Sequence, residues 1–148
     1  MQTFLPYEDF TQSLMVLDTK RHGKQRVEAF QLLRALGNSV DVDLSDVDLS
    51  KPAKGWVNHP AAKMWRGYES ALALYHDISI LTWIEKGYNN TMRLRSVVPP
   101  EQVVMPPWMG SAELHASHRS NLLRKDPLHY GENLWEEGPD LPYVWPVS

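Results

Sequence analysis

Three polar segments of this chain combine side chains that could bind phosphate and transfer protons. In the first, four cations and one carboxylate fall within nine residues: Lys20, Arg21, Lys24, Arg26 and Glu28. Cations at this density suit a phosphate-bearing ligand held beside an acid that orients or catalyses. The alternative interpretation, and the more common one for such a run, is a solvated helix face with local Glu–Arg pairs.

The second segment is the box Gly-Trp-Val-Asn-His-Pro at residues 55–60. Asn58 is a suitable N-cap for a helix that has Pro60 in its first turn. The helix dipole would lower the pKa of His59, so that a neutral imidazole can donate or accept a hydrogen bond. Trp56 could stack on a base, although core packing is the more frequent role of tryptophan. Arg66, at the end of the same short helix, is a further candidate for binding.

The third segment places His115, His118 and Arg119 at i, i+3 and i+4, on one face of a predicted helix that ends at Lys125. Two histidines on one face could bind zinc, but no carboxylate or thiol completes a ligand set at a known spacing. The pattern therefore favours phosphate or base recognition over a metal. We predict neither a metal site nor a cofactor.

The elements that must position these segments are predicted to be helices. Apolar residues recur at helical spacing, Ser111 is a suitable N-cap for the helix that ends at Lys125, and Gly37, Gly87 and Asp126-Pro127 provide helix stops. The spacing predicts a mainly helical stretch at 8–36 with a bend near 17–18. It also predicts a short helix at 59–68 and two longer helices at 69–86 and 111–125. We predict an all-α, compact single domain over residues 1–148, with about three main helices and an extended, aromatic C-terminal tail.

Two further features qualify this fold. The helix at 69–86 has a broad apolar surface, which we expect to be buried: Leu72, Tyr75, Ile78, Ile80, Leu81 and Ile84. Residues 38–54 contain a tandem Asp-Val-Asp-Leu-Ser repeat, which lacks the central Gly and the terminal Glu of a calcium loop. We interpret it as an acidic surface loop.

Composition narrows the class of protein only slightly. The chain has 43% apolar residues, no cysteine and a formal charge of −3, and its apolar runs are too short to span a bilayer. Residues 38–54 and 131–148 carry −2 and −4, which leaves +3 for the remaining body. That charge suffices for a few phosphate contacts. We expect a soluble, cytoplasmic protein with no membrane partner; the oligomeric state stays open.

Several motifs, taken in order, resemble the pyrimidine-dimer DNA glycosylase family, which has phage and bacterial members. They are Leu17-Asp18, Arg26-Val27-Glu28, the box at 55–60 and Lys86-Gly87-Tyr88. The later His115–Arg119 helix and the aromatic tail are similar to members of that family too. The resemblance covers most of the chain outside the acidic loop, and the box at 55–60 is its most specific part.

The resemblance implies an all-α fold and a DNA repair activity at damaged pyrimidines. In that family the amine at the chain start attacks the sugar and forms a Schiff base, which here would make Met1 the nucleophile. Glu28 would stabilise the developing sugar cation and assist proton transfer, with Arg26 on the flanking phosphates. Asn58 and His59 would line the same pocket, and a nucleotide would be extruded from damaged duplex DNA.

Two other functions remain compatible with these residues. A non-catalytic protein could sequester a nucleotide or a nucleotide-derived signal, with Lys24, Arg26, His59, His118 and Arg119 holding its phosphates. Such a binder needs neither a reactive chain start nor a positive overall charge. A structural or partner-binding module would instead use the aromatic tail as its interface.

Overall fold

Three long helices dominate the computed structural model, which describes residues 2–50 and 55–147. Three shorter helices join them, and within the described ranges the only β pairing is an isolated bridge between Val42 and Ser96. The helices are α1 (Phe10–Met15), α2 (Thr19–Leu36), α3 (Pro60–Trp65), α4 (Glu69–Glu85), α5 (Ala112–Lys125) and α6 (Pro127–Tyr130). The all-α prediction is confirmed, with more helices than the three main ones expected.

The stretch expected to bend near residues 17–18 consists of two separate helices. Asp9 and Asp18 each adopt an extended backbone and accept a hydrogen bond from a main-chain N–H three residues later, so each caps its own helix. Helix α2 ends at Gly37, whose φ of 81° lies in the region that glycine enters without steric cost. The predicted stop at Gly37 is confirmed.

Helices α2 and α4 pack closely because Gly23 has no side chain. A Cβ atom at Gly23 would lie 3.2 Å from the Trp83 ring, which is tighter than ordinary van der Waals contact. Beside it, buried His22 lies with Nε2 2.9 Å from the Thr82 hydroxyl and 3.0 Å from the Ser79 carbonyl. Gly23 therefore serves the approach of an indole ring from the neighbouring helix.

Helix α4 is central, but its apolar surface is only partly buried. Leu72, Tyr75 and Ile80 are buried as expected, whereas Leu81 and Ile84 are 51% and 49% exposed. The expectation that these two residues face the core was wrong. Polar Ser79 and Thr82 are buried instead, because their hydroxyls bond to carbonyls one turn earlier in the helix.

The capping predictions for α5 are confirmed, and the prediction for α3 was wrong. Ser111 accepts from the Leu114 N–H, and α5 ends at Lys125 with Asp126 as its C-cap. In α3 the N-cap is His59 rather than Asn58, since His59 Nδ1 accepts from the Ala61 N–H at 3.0 Å.

The described part of the acidic segment, residues 38–50, contributes to the core as well as to the surface. Val42 and Leu44 are buried, while carboxylates alternate with them and pair with Arg93 and Arg95. The Asp43 N–H also donates to the Arg95 carbonyl at 2.7 Å. Residues 51–54 of this predicted loop lie outside the described residues.

Beyond Asn133 the C-terminal tail forms neither helix nor strand: it bends at 136–137, turns at 139–140 and then lies along α5, so that the extended tail predicted is only partly observed. Ser120 Oγ accepts from the Leu141 N–H, and Ser117 Oγ accepts from the Val144 N–H. Asn121 donates to the Leu141 carbonyl. Among the described residues, no helix has the length and apolarity required to cross a membrane.

Candidate functional site

An open cavity of about 350 Å³ lies where α2, the N-terminal segment and the tail meet. Its cationic side chains are Lys20, Arg21 and Lys24 from the first half of α2 and Lys125 from the end of α5. The three lysines are exposed, whereas Arg21 is held by the α2 cap, with Nη1 3.1 Å from Asp18 Oδ1. The cavity therefore has a positive, mostly solvated rim that suits an anionic ligand.

The interior of the cavity is polar and contains one carboxylate. Gln2, Phe4, Gln25, Glu28 and Tyr143 line it. Gln25 is buried and donates to Glu28 Oε2 at 3.2 Å and to the Gln2 carbonyl at 2.9 Å. One amide side chain thus joins the start of the described chain to the carboxylate on α2.

The N-terminal segment, residues 2–6, is buried and forms neither helix nor strand, and side chains from four helices make its hydrogen bonds. Gln25 of α2 accepts from the Phe4 N–H at 2.9 Å. The Tyr75 hydroxyl of α4 lies 2.9 Å from the Phe4 carbonyl oxygen, and Trp65 of α3 donates to the Thr3 hydroxyl. These side chains satisfy buried main-chain groups that no helix or strand of the segment pairs.

Helix α5 holds the same segment through two histidines in opposite tautomers. The Leu5 N–H donates to His118 Nδ1 at 2.8 Å, so that this nitrogen carries no proton. His115 Nε2 accepts from the Gly110 N–H, and its Nδ1 therefore carries the proton and donates to the Leu5 carbonyl at 2.7 Å. Arg119 adds a bond from Nη1 to the Pro6 carbonyl at 2.8 Å.

Burial keeps both of these imidazoles neutral. His118 is fully buried, and desolvation together with the nearby His115 lowers its pKa to about 3. Burial also lowers the pKa of His115, with the Arg119 charge acting in the same direction. Neutral histidines at these positions bind main-chain groups, and Arg119 forms an ion pair with Glu137 at 2.6 Å. The predicted His115–Arg119 cluster thus contacts the protein's own N-terminal segment.

Arg26 is directed away from the cavity, toward α4. Its guanidinium lies 4.4 Å from the centre of the Trp83 ring, and Nη1 donates to Asn90 at 2.8 Å. Burial lowers the pKa of Arg26. In this structure the guanidinium packs between helices and does not line the cavity beside Glu28.

The box at 55–60 reaches the cavity wall through aromatic rings. His59 contacts Trp56 on one side and Trp145 on the other, with ring centres 5.6 and 5.8 Å apart. Trp145 in turn contacts Tyr143, which lines the cavity and packs edge-on against His118. The box therefore supports the cavity wall from behind.

Two other predicted binding residues lie at the surface outside the cavity. Asn58 is exposed, and exposed Arg66 donates to the Val57 carbonyl at 3.0 Å, which fixes the turn before α3. Residues 2–50 and 55–147 contain no group of three acidic or histidine side chains arranged to hold a metal. Met1, predicted as a nucleophile, lies outside the described residues.

The structure thus brings together four of the predicted site residues, namely Arg21, Lys24, Glu28 and Lys125. Lys20 of the first polar segment lines the cavity as well, and so do Gln25 and Tyr143, which were not among the candidates. A signal for Gln25 was available, because an amide among the apolar positions of a helix must find partners when it is buried. No comparable signal marked Tyr143, since an aromatic tail residue has many possible contacts.

Comparison with known proteins adds one finding. A family model described as pyrimidine dimer DNA glycosylase matches residues 1–96, which include α1–α4 and the carboxylate-bearing face of α2. Helix α5 and the tail, which supply Lys125 and Tyr143, lie beyond the matched range. Searches of curated proteins and of solved structures found no significant match.

Proposed function

Because this chain belongs to the pyrimidine dimer DNA glycosylase family, we propose that it is a DNA repair glycosylase with abasic-site lyase activity on damaged pyrimidines. The observation that carries the proposal is the cavity in which Gln2, Glu28 and the four rim cations meet. Such a site offers an acid–base group and phosphate contacts beside the start of the chain. Damaged duplex DNA is the proposed partner.

The proposed nucleophile is the α-amine of Met1. Gln2, which follows it in the sequence, lines the cavity. An α-amine has a pKa of about 8, so that a useful fraction is neutral near physiological pH. The bulky Gln2 favours retention of Met1, which makes its amine the one available to react.

The proposed first step replaces the glycosidic bond with a bond to the protein. The amine lone pair attacks C1′, the C1′–N1 bond breaks, and the pyrimidine leaves with the electron pair and gains a proton. Loss of the amine proton and protonation of O4′ then open the sugar ring to a Schiff base. Glu28 is the proposed group that stabilises the cationic sugar and relays these protons.

The lyase step follows from the same intermediate. Removal of a C2′ proton lets the C3′–O3′ bond break, and the 3′ phosphate leaves with the electron pair. The rim cations Lys20, Arg21, Lys24 and Lys125, which line the cavity, are the proposed contacts to phosphates on either side of the extruded nucleotide. Contacts of this kind fix the position of the strand and carry no sequence information.

The decisive test is borohydride trapping on duplex DNA that contains an abasic site. The hydride reduces the Schiff base to a stable amine, and peptide mapping should place the adduct on Met1 rather than on a cavity lysine. A duplex with a tetrahydrofuran site, which has no aldehyde, is the matched control.

Nicking of ultraviolet-irradiated plasmid should accompany the adduct. Absence of both adduct and nicking would overturn the proposal. If a free nucleotide instead stabilised the protein against heat while damaged duplex did not bind, the sequestering function would replace it.

A further inference from the structure

The two α5 histidines bind one residue of the N-terminal segment from both of its polar sides. His118 accepts from the Leu5 N–H, His115 donates to the Leu5 carbonyl, and both side chains are at most 5% exposed. Each histidine is more than 100 positions away from Leu5 in the sequence. Burying two imidazoles costs free energy of desolvation, which apolar side chains at the same positions would not incur.

From Leu5 the segment leads directly into the cavity. Only Thr3 and Phe4 separate Leu5 from Gln2, which lines the cavity. Gln25 bonds to the Phe4 N–H and the Gln2 carbonyl along this path. The hydrogen bonds at Leu5, Phe4 and Gln2 hold the segment jointly, so that loss of the bonds at Leu5 would loosen the backbone that leads to Gln2.

We propose that His115 and His118 are positioning residues that hold residues 2–5 in place beside Glu28, where the proposed reaction occurs. This inference rests on the proposed function. The histidines touch neither Glu28 nor the reacting atoms, and they act through the Leu5 backbone. Both histidines lie beyond the range matched by the family model, so the hydrogen bonds that α5 makes to Leu5 come from outside the matched region.

The alternative is that the two imidazoles only satisfy buried main-chain groups. Both interpretations predict that removing an imidazole destabilises the protein. They differ in the reaction rate of the folded variant, because a misplacement of about 1 Å at a reacting group can cost about 100-fold in rate. The rate and the stability must therefore be measured separately.

The test compares His118→Leu with His118→Asn under single-turnover trapping conditions on abasic duplex. Asn places Oδ1 where the imidazole has Nδ1 and can accept the same Leu5 N–H, whereas Leu cannot. We expect His118→Leu to slow Schiff-base formation about 10- to 100-fold and His118→Asn to restore most of the rate. Affinity for the tetrahydrofuran duplex should change little in either variant.

His22→Leu is the matched control. His22 is equally buried, but it bonds to Ser79 and Thr82 of α4 rather than to the N-terminal segment. The His22→Leu substitution should lower the melting temperature and leave the trapping rate of the folded protein unchanged. The proposal is overturned if folded His118→Leu reacts at the wild-type rate, or if His22→Leu slows the reaction equally.

Two further measurements keep the outcome decisive. If His118→Leu does not fold, Tyr75→Phe removes a hydroxyl that contacts both the Phe4 carbonyl and Gln25 Oε1 while keeping the ring, and it should slow trapping in the same way. Hydrogen exchange at the Leu5 amide should accelerate in His118→Leu but not selectively in His22→Leu. If wild-type protein forms no adduct, the proposed function fails, whereas the exchange result still decides whether the histidine holds the segment.

Discussion

Helix α2 presents two faces whose side chains are chemically alike and whose surroundings differ. On one face, Arg21, Lys24 and Glu28 line an open cavity. On the other, His22 and Arg26 are packed against α4, where one bonds to main-chain and hydroxyl oxygens and the other lies over Trp83. The positions alternate within eight residues of a single run. Helical phase, rather than residue type, separates candidate function from packing.

The same comparison explains why the run was difficult to interpret. Cations two positions apart, such as Lys24 and Arg26, point about 200° apart around a helix. One is therefore exposed beside the cavity while the other is half-buried between helices. Charged residues that are neighbours in the sequence are therefore distributed over two faces of the helix, one that lines the cavity and one that packs against α4.

The largest effect should come from the carboxylate on the cavity face. Glu28→Gln preserves the shape and can still accept from Gln25, but it removes the charge and the proton relay. We expect nicking of irradiated plasmid to fall by about 10²- to 10⁴-fold, with little change in affinity for damaged duplex. Glu85→Gln, at the exposed end of α4, should behave as wild type. Undiminished nicking by Glu28→Gln would remove Glu28 from the reaction.

The buried histidines should make the protein acid-sensitive. Burial lowers the pKa of His22 to about 4 and that of His118 to about 3. Below pH 6.5 the unfolded chain binds protons that the folded chain does not, so the free energy of unfolding falls as the pH falls through this range. The loss between pH 7 and pH 5 should be about 2 kcal/mol for each histidine.

Urea denaturation at the two pH values measures this loss. At pH 5 carboxylates with lowered pKa values, such as Asp18, remain ionised in the folded state and contribute little to the change. His59 and His115, whose pKa values burial also lowers, add to the loss in the same direction. His22→Leu and His118→Leu should each flatten the dependence, and an unchanged slope would contradict the assigned neutral state.

The smallest effect should separate the two faces of α2 most directly. Lys24→Gln should weaken binding to duplex and reduce the slope of log affinity against log salt by about 0.9, with stability unchanged. Arg26→Gln should lower the free energy of unfolding by about 1–2 kcal/mol, through loss of the Trp83 and Asn90 contacts, and leave the salt slope unchanged. Equal salt slopes for the two variants would show that the faces are not functionally distinct.

Local signals in the sequence predicted the helices well. Ser111 and Gly37 act at helix ends as predicted, because caps depend on a few neighbouring residues, whereas the N-cap at Asp18 was predicted only as a bend. Burial was predicted less well, since Leu81 and Ile84 fit an apolar surface that no other element covers completely. The N-cap of α3 was misplaced by one residue because Asn58 and His59 can both accept the required bond.

The sequence by itself determined the all-α class, the family and a carboxylate among cations on α2, because each depends on local spacing or on ordered motifs. Only the tertiary structure decided which of those cations face the cavity and that the α5 histidines bind the N-terminal segment. The physical reason is that a buried polar side chain must find a partner, and its partner can lie anywhere in the chain. His118 and Leu5 are 113 positions apart, a pairing that no local pattern encodes.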